Sequence, residues 1–441
     1  MIRALTFRGG VTVPEHKERT EGKAIETLPL PPRLFVPLRQ NAGVPPEPVV
    51  EAGRAVLAGE VIARPAGPVS AFLHAPVAGT VKGIEKHSHP ALPDSPAIEI
   101  ETAPEQPPMV LLPPIPEPDR ASPEEIRRRV LEAGIVGMGG AGFPTQVKLA
   151  PPPGARIEYA IINGAECEPF LTVDHRLMLE ETEKVIRGLK IVMRAVGAEK
   201  GIIAVESNKL DAWEKLRASL AGEKSIRAEL LQVKYPQGGE KQIIYSLLRR
   251  KVPAGGLPSA VGCVVQNVHT AVAIAEALVE GKPLLERVVT VSGPGVARPG
   301  NFRVRIGTPF AHLLAAAGGL AGGELMVISG GPMMGVAQFS LATPVIKGTS
   351  GLLVFPAAPR RRNLPCIRCG RCIRVCSLNL LPCRLARSAE KGNSGDFEEG
   401  SGAQCIECGC CAYVCPAGRD LVQFIQLGKA ASAKKTPAAG K

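Results

Sequence analysis

Ten of the twelve cysteines in this chain lie between Cys366 and Cys415. Eight of them repeat one pattern, C-x-x-C-x-x-C-x-x-x-C. The first run is Cys366, Cys369, Cys372 and Cys376; the second is Cys405, Cys408, Cys411 and Cys415, followed by Pro416. Three thiolates at two-residue gaps let one tight loop wrap three corners of a cubane. The fourth falls on the following helical turn and points away from it. All-thiolate zinc sites use C-x-x-C pairs instead. A disulfide framework belongs to short secreted chains. Here the chain has 441 residues, and Met1 to Lys17 hold no apolar signal core, so we expect an unexported protein.

This is the spacing of bacterial two-cluster ferredoxins, in which the fourth cysteine of each run serves the other cluster. We therefore expect Cys366, Cys369, Cys372 and Cys415 to hold one [4Fe-4S] cluster, and Cys405, Cys408, Cys411 and Cys376 to hold a second. Ser377 stands where a proline often follows the fourth cysteine. Cys383 and Cys410 are spare by this count, and Cys167 and Cys263 read as small buried hydrophobes. Ile367, Ile373, Val375, Ile406 and Val414 lie between the ligands, where they would keep water from the clusters.

A second signal is rich in glycine. Gly137, Gly139, Gly140 and Gly142 fit G-x-G-x-x-G, with Lys148 a few residues on. A dinucleotide fingerprint follows a strand; this one follows a helix. The glycines still let backbone amides approach a phosphate, with Lys148 as countercharge. Glu166, Glu168 and Glu240 could orient ribityl or ribose hydroxyls. No Ser/His/Asp or Cys/His nucleophile arrangement is evident, and His175 and His269 read as structural.

The elements that must carry these residues follow from patterning. With 45% hydrophobic and 21% charged residues the chain can build real cores. No apolar run is long and uninterrupted enough to span a bilayer. The net charge of +12 comes without zinc-finger spacing or aromatic interleaving, and aromatics are 4%, which argues against nucleic acid. Residues 1–101 read as a β domain of barrel-sandwich type, and 102–122 as a proline-rich linker. Ser122 and Pro123 open a helix. Residues 123–284 alternate strands (157–162, 201–206, 230–234) with helices (174–196, 210–220, 240–250, 268–279), the pattern of a layered α/β domain. Residues 285–355 read as a small β-grasp-like unit, 356–428 as the cysteine-rich domain, and 429–441 as a basic disordered tail. Multidomain α/β is the expected class.

GIVGMGGAGFPTQVK, from Gly134 to Lys148, resembles the flavin- and NADH-binding loop of the complex I flavoprotein subunit. Asn163 to Pro169, Tyr235 to Glu240 and Gln266 to Thr270 look like that family's other site segments. With a ferredoxin-type pair after this domain, and Gly9-Gly10 and Pro14 to Lys17 near the N-terminus, nearly the whole chain resembles the C subunits of Rnf electron transport complexes. Thr12-Val13 departs from that family's usual His-Pro. The resemblance implies an SLBB-type β-grasp unit. It also implies a flavin/NADH site at Gly137, Gly139, Gly140, Gly142, Lys148, Asn163, Glu166, Glu168, Gly239, Glu240 and Asn267, with FMN as cofactor and NAD(H) as substrate. It implies a peripheral subunit on the cytoplasmic side of the cell membrane. That subunit would work with the other Rnf subunits and ferredoxin, in an ion-translocating NADH:ferredoxin oxidoreductase. The alternative is a soluble flavin/iron–sulfur reductase, such as a microcompartment cobalamin reductase.

Overall fold

The computed structural model describes residues 4–357 and 363–435. Arg360 to Arg362 and residues 436–441 lie outside them.

The central α/β domain opens on the helix Pro123–Glu132. Its Ser122 accepts from the Glu125 amide while Glu125 reaches back to the Ser122 amide, a complete capping box that satisfies two orphan donors. Four parallel strands follow: Tyr159–Gly164, Lys200–Glu206, Ile226–Leu231 and Cys263–Asn267. Their spatial order is third, second, first, fourth. The order reverses between Tyr159–Gly164 and Cys263–Asn267, which creates a crevice at their carboxyl ends. Apolar side chains pack both faces. Ile162, Ile203, Leu189, Val192 and Ile274 belong to one core, and Ile161, Ile202, Ile243 and Val265 to the other.

Several expectations need correction. The expected helix 174–196 is two, Val173–Glu180 and Thr182–Val196, broken at Glu181, which leaves helical geometry at φ −121°. The expected strand 230–234 ends earlier, at Leu231, because the chain must turn into the Tyr235 to Gly239 segment. The tail is helical from 429 to 435, as the end of the helix Leu421–Lys435, anchored by Lys429 on the Cys405 carbonyl and the Glu407 carboxylate.

The barrel-sandwich domain pairs a four-stranded and a three-stranded sheet around Leu34, Ile62, Leu73, Val81, Ile98 and Ile100. The segment 5–27 reaches beyond these two sheets. Leu5 bridges to Leu231, Val11 to Tyr235, and the strand Ile25–Thr27 joins the edge of a six-stranded sheet beside Gly300–Arg305. That sheet is the β-grasp-like unit, closed by Gly351–Pro356, with the helix Phe310–Ala316 on its core side. The proline-rich segment is docked and ends in a short 3-10 helix, Pro118–Arg120. The Val110 amide donates to the Ala58 carbonyl and the Leu112 amide to that of Gly281.

In the cysteine-rich part, helices Pro382–Glu390, Ser394–Glu399 and Leu421–Lys435 pack around Leu385, Phe397 and Ile425. The Gly/Ser/acidic segment between the two cysteine runs contains one of these helices, capped by Asn393 on the Asp396 amide. Among the described residues no helix is long and apolar enough to cross a membrane.

Candidate flavin crevice and cysteine loops

Asn163 and Asn267 close the two strands at the switch point and are register partners. The Asn163 side chain donates to the Gly238 carbonyl at 2.8 Å and accepts from the Ala165 amide at 3.2 Å. Asn267 caps the helix Val268–Val279 by accepting from the His269 amide, and donates to Asp174 at 2.7 Å. Each amide therefore fixes one wall of the crevice with one donated and one accepted bond.

The glycine loop lies over this point. Gly137 donates to the Phe143 carbonyl at 2.8 Å, which pinches the loop at its base, and the Met138 amide donates to Thr270. A methyl group on Gly139 would sit 2.8 Å from the Asn267 amide nitrogen, so glycine is required there by the protein itself. A methyl group on Gly140 would meet no protein atom within 4 Å. Gly140 is exposed, so its face is free to receive a ligand. Gly142, at φ +67°, takes a conformation few side chains accept and rests on residues 40–42 of the barrel-sandwich domain.

The three glutamates are less free than the sequence suggests. The Glu166 carboxylate accepts from the amides of Asp174 and His175, a cap on the helix Val173–Glu180. Glu168 accepts from the amides of Met333 and Met334 in the β-grasp unit, at 3.0 Å each, and from the Tyr235 hydroxyl at 3.4 Å. Burial pushes its carboxyl up, while those two amides pull it down. Glu240, the most exposed of the three, pairs with Lys148 at 2.7 Å. Lys148 also holds the Val265 carbonyl, so its charge is compensated within the protein. Gly239 packs against the Gln242 side chain.

Two buried lysines were not among the sequence candidates for the site. Lys17, on the N-terminal arm, donates to the carbonyls of Glu166 and Glu168 at 2.9 and 3.0 Å and to that of Leu171. Lys209 donates to the Ala165 carbonyl and pairs with Glu206 at 3.5 Å, both side chains 1% exposed. Together they hold the whole 165–171 loop. Desolvation lowers the Lys17 ammonium, opposed chiefly by Glu166. Desolvation pushes Asp174 up to about 7, helped by the Glu166 charge. The sequence carries no signal for either: both lysines stand among polar and charged neighbours, and the carbonyls they hold are distant in sequence.

The crevice suits a flavin or nucleotide on two counts. The loop face at Gly140 is vacant of protein, and Gln266, 2% exposed, has neither polar side-chain atom paired within the protein. A buried amide left unpaired calls for a polar occupant.

The cysteine runs share one backbone. Gly370 and Gly409 take φ +72° and +82°, and Arg368 and Glu407 take φ +55° and +57°. Each run then enters a single helical turn, Arg371–Arg374 or Cys410–Tyr413. Burial, and then the adjacent thiols of Cys408, Cys405 and Cys376, push the Cys411 thiol up to about 12. For the other set, Cys415 stands near Cys372, and the Leu364 amide donates to the Ala417 carbonyl, joining the start of one run to the end of the other. Cys366 and Cys369 are exposed. Cys383 abuts Cys372, and Cys410 donates to the Tyr235 carbonyl at 3.7 Å. Among the described residues no three His, Cys, Asp or Glu side chains converge on one metal-ion position. A four-iron cubane takes one thiolate on each iron, so its ligands surround a cluster, not a point.

Fold and crevice together define a multidomain chain of complex I flavoprotein type. The Nuo51 FMN-binding domain matches residues 130–276, the RnfC barrel sandwich hybrid domain 5–105, and the SLBB domain 288–337. The chain is 42% identical over 388 residues to the C subunit of a proton-translocating ferredoxin:NAD(+) oxidoreductase complex of Clostridium ljungdahlii, covering 88% of this chain and 85% of that one. It is 40% identical to the Na(+)-translocating counterpart of Acetobacterium woodii, covering 96% of each. It belongs to the family of C subunits of ion-translocating ferredoxin:NAD(+) oxidoreductase complexes, the Rnf type. Among solved structures, an NAD+-reducing [NiFe]-hydrogenase is similar in fold, with a TM-score of 0.50 and 23% identity over 70% of this chain and 63% of that one.

Proposed function

We propose that this chain is the nicotinamide-facing, peripheral subunit of a membrane complex that couples electron transfer between NADH and ferredoxin to ion translocation. The observation that carries the reading is the combination in one chain of a switch-point crevice, open at Gly140, with two matched cysteine runs, the second packed on the same domain. When bound, FMN takes two electrons with a hydride and [4Fe-4S] clusters pass them singly, which converts between the two kinds of carrier.

The residues of the chain supply position and electrostatics. Amides at the exposed tip of the loop, residues 139–141, face the ligand, and Asn163 and Asn267 hold the crevice walls. Lys17 and Lys209 fix the loop between them. Cys366, Cys369, Cys372 and Cys415 hold one cluster, and Cys405, Cys408, Cys411 and Cys376 the other. The Leu380 amide donates to the Cys376 sulfur and the Glu407 amide to that of Cys405, each at 3.4 Å, which stabilises negative charge on these thiolates.

The names of the relatives favour the complex over the soluble reductase. Membrane fractionation tests it. High salt or carbonate should release the chain from the cytoplasmic face, as surface contacts are screened. A chain found wholly in the soluble fraction of gently lysed cells would favour the soluble reductase.

A further inference from the structure

The two cysteine sets occupy unequal places. The loop of the second run is pressed into the flavin domain. Cys408, Cys410, Val375 and Val414 share one apolar cluster with Val11, Val13, Cys167, Tyr235 and Met333. Around Cys376 the fit is equally close. The Gly10 amide donates to the Val375 carbonyl at 2.8 Å, Gln242 donates to Ser377 at 2.9 Å, and a methyl group on Gly9 would lie 3.1 Å from the Cys376 carbonyl. Gly409 likewise abuts the Met333 carbonyl.

Direct contacts lead from this loop to the crevice. Cys410 donates to the Tyr235 carbonyl. The Gly238 amide donates to the Cys167 sulfur at 3.3 Å, and the Gly238 carbonyl accepts from Asn163 at the switch point. Cys366 and Cys369, in contrast, face solvent. Ile367 beside them is 67% exposed, and Leu364, Arg371, Arg374, Tyr413 and Cys415 line one surface hollow.

We propose that the Cys405, Cys408, Cys411 and Cys376 cluster is the inner relay, which exchanges electrons with the flavin. The Cys366, Cys369, Cys372 and Cys415 cluster is then the outer relay, which exchanges them with an external one-electron carrier. This rests on the function proposed above. NADH gives the flavin a hydride, hence two electrons. The flavin gives them up one at a time to the oxidised inner cluster and releases its protons to water. The inner cluster passes each electron to the outer one, and two oxidised external carriers take one electron each. Run backwards, the same steps reduce NAD+. The arginines and exposed apolar side chains around the outer set suit a carrier with an acidic docking face.

The test uses the full chain, reconstituted anaerobically. A wild-type count of about eight iron, the sum of two four-iron clusters, checks the underlying reading before the order is asked. An iron chelator is then applied to the holoprotein, and the thiols freed in the first phase are alkylated and identified by peptide mass spectrometry. Cys366 and Cys369 should be labelled first; first labelling of Cys405 and Cys408 would overturn the assignment. In a second arm, freeze-quench EPR follows electron exchange with the nicotinamide in C369S and C408S. Both directions are run, oxidised protein with NADH and dithionite-reduced protein with NAD+. C369S should keep exchange into its remaining cluster, and C408S should lose it while dithionite still reduces the cluster that is left. Unchanged exchange in C408S would contradict the order. If either variant fails to fold, the wild-type labelling decides alone.

Discussion

Asn163 and Asn267 stand side by side at the ends of adjacent parallel strands, and their amides tie down opposite walls of one crevice. Asn163 holds Gly238 on one side; Asn267 holds Asp174 on the other. A crevice so braced is pre-organised, which reduces the ordering cost of binding.

The loop above it gives a paired test. A side chain on Gly140 meets no protein atom, so Gly140→Val should leave thermal stability and iron content near wild type. It should weaken FMN or NADH by more than about tenfold, or about 1.4 kcal/mol. Gly139→Ala intrudes on Asn267 and should lower stability and affinity together. Fluorescence titration beside a melting curve separates the two outcomes. Unchanged affinity in folded Gly140→Val would remove the loop from the binding site.

Asp174 makes stability depend on pH. Its carboxyl rises from 3.8 to about 7 in the folded chain, through burial and then the Glu166 charge, against the pull of Asn267, Arg287 and Lys209. Between those values the folded chain holds a proton that the unfolded chain has released. This contribution is full below about pH 4 and is lost as pH rises toward 7. Each such group gives a slope of up to about 1.4 kcal/mol per pH unit. Glu206, also raised to about 7, adds its own. Asp174→Asn should flatten the fall of stability between pH 5 and 7 without abolishing it; an unchanged slope would show that Asp174 is ionised when folded.

How far the sequence reaches depends on sequence distance. The repeated backbone of the two cysteine runs was readable because each run is local, and the helix at Pro123 because its capping box spans four residues. The strand Cys263–Asn267 was missed: it sits in a charge-free stretch crowded with glycine and proline, where alternation gives no signal. The break at Glu181 was hidden by continuous helical periodicity, although Thr182 bonds back to the Met178 carbonyl. The N-terminal arm could not be seen at all. Lys17 meets Glu168 across 151 residues, and Arg19 meets Gly293 across 274. The acidic residues were grouped by position in the sequence, but Glu166 and Glu168 are committed to backbone amides.

Glu168 ties three parts together, since the 333–334 amides it holds lie against the Gly409 turn. Glu168→Gln keeps one acceptor oxygen and loses the charge on both bonds. A loss of about 2 kcal/mol is expected, the scale of a charge-assisted hydrogen bond. Denaturant melts of the intact chain would measure it. A change within about 0.5 kcal/mol, the range of ordinary surface substitutions, would show that the contact is incidental.

The central claim, that one chain joins a nicotinamide-linked flavin to two clusters, is tested most directly on a single purified, anaerobically reconstituted sample. Iron, sulfide and flavin are counted, and the clusters are then followed by EPR after mixing oxidised chain with NADH and reduced chain with NAD+. The account predicts about eight iron and eight sulfide, bound FMN, and electron exchange with the nicotinamide in at least one direction. About four iron, or full clusters that exchange no electrons with the nicotinamide in either direction while FMN is bound, would contradict it.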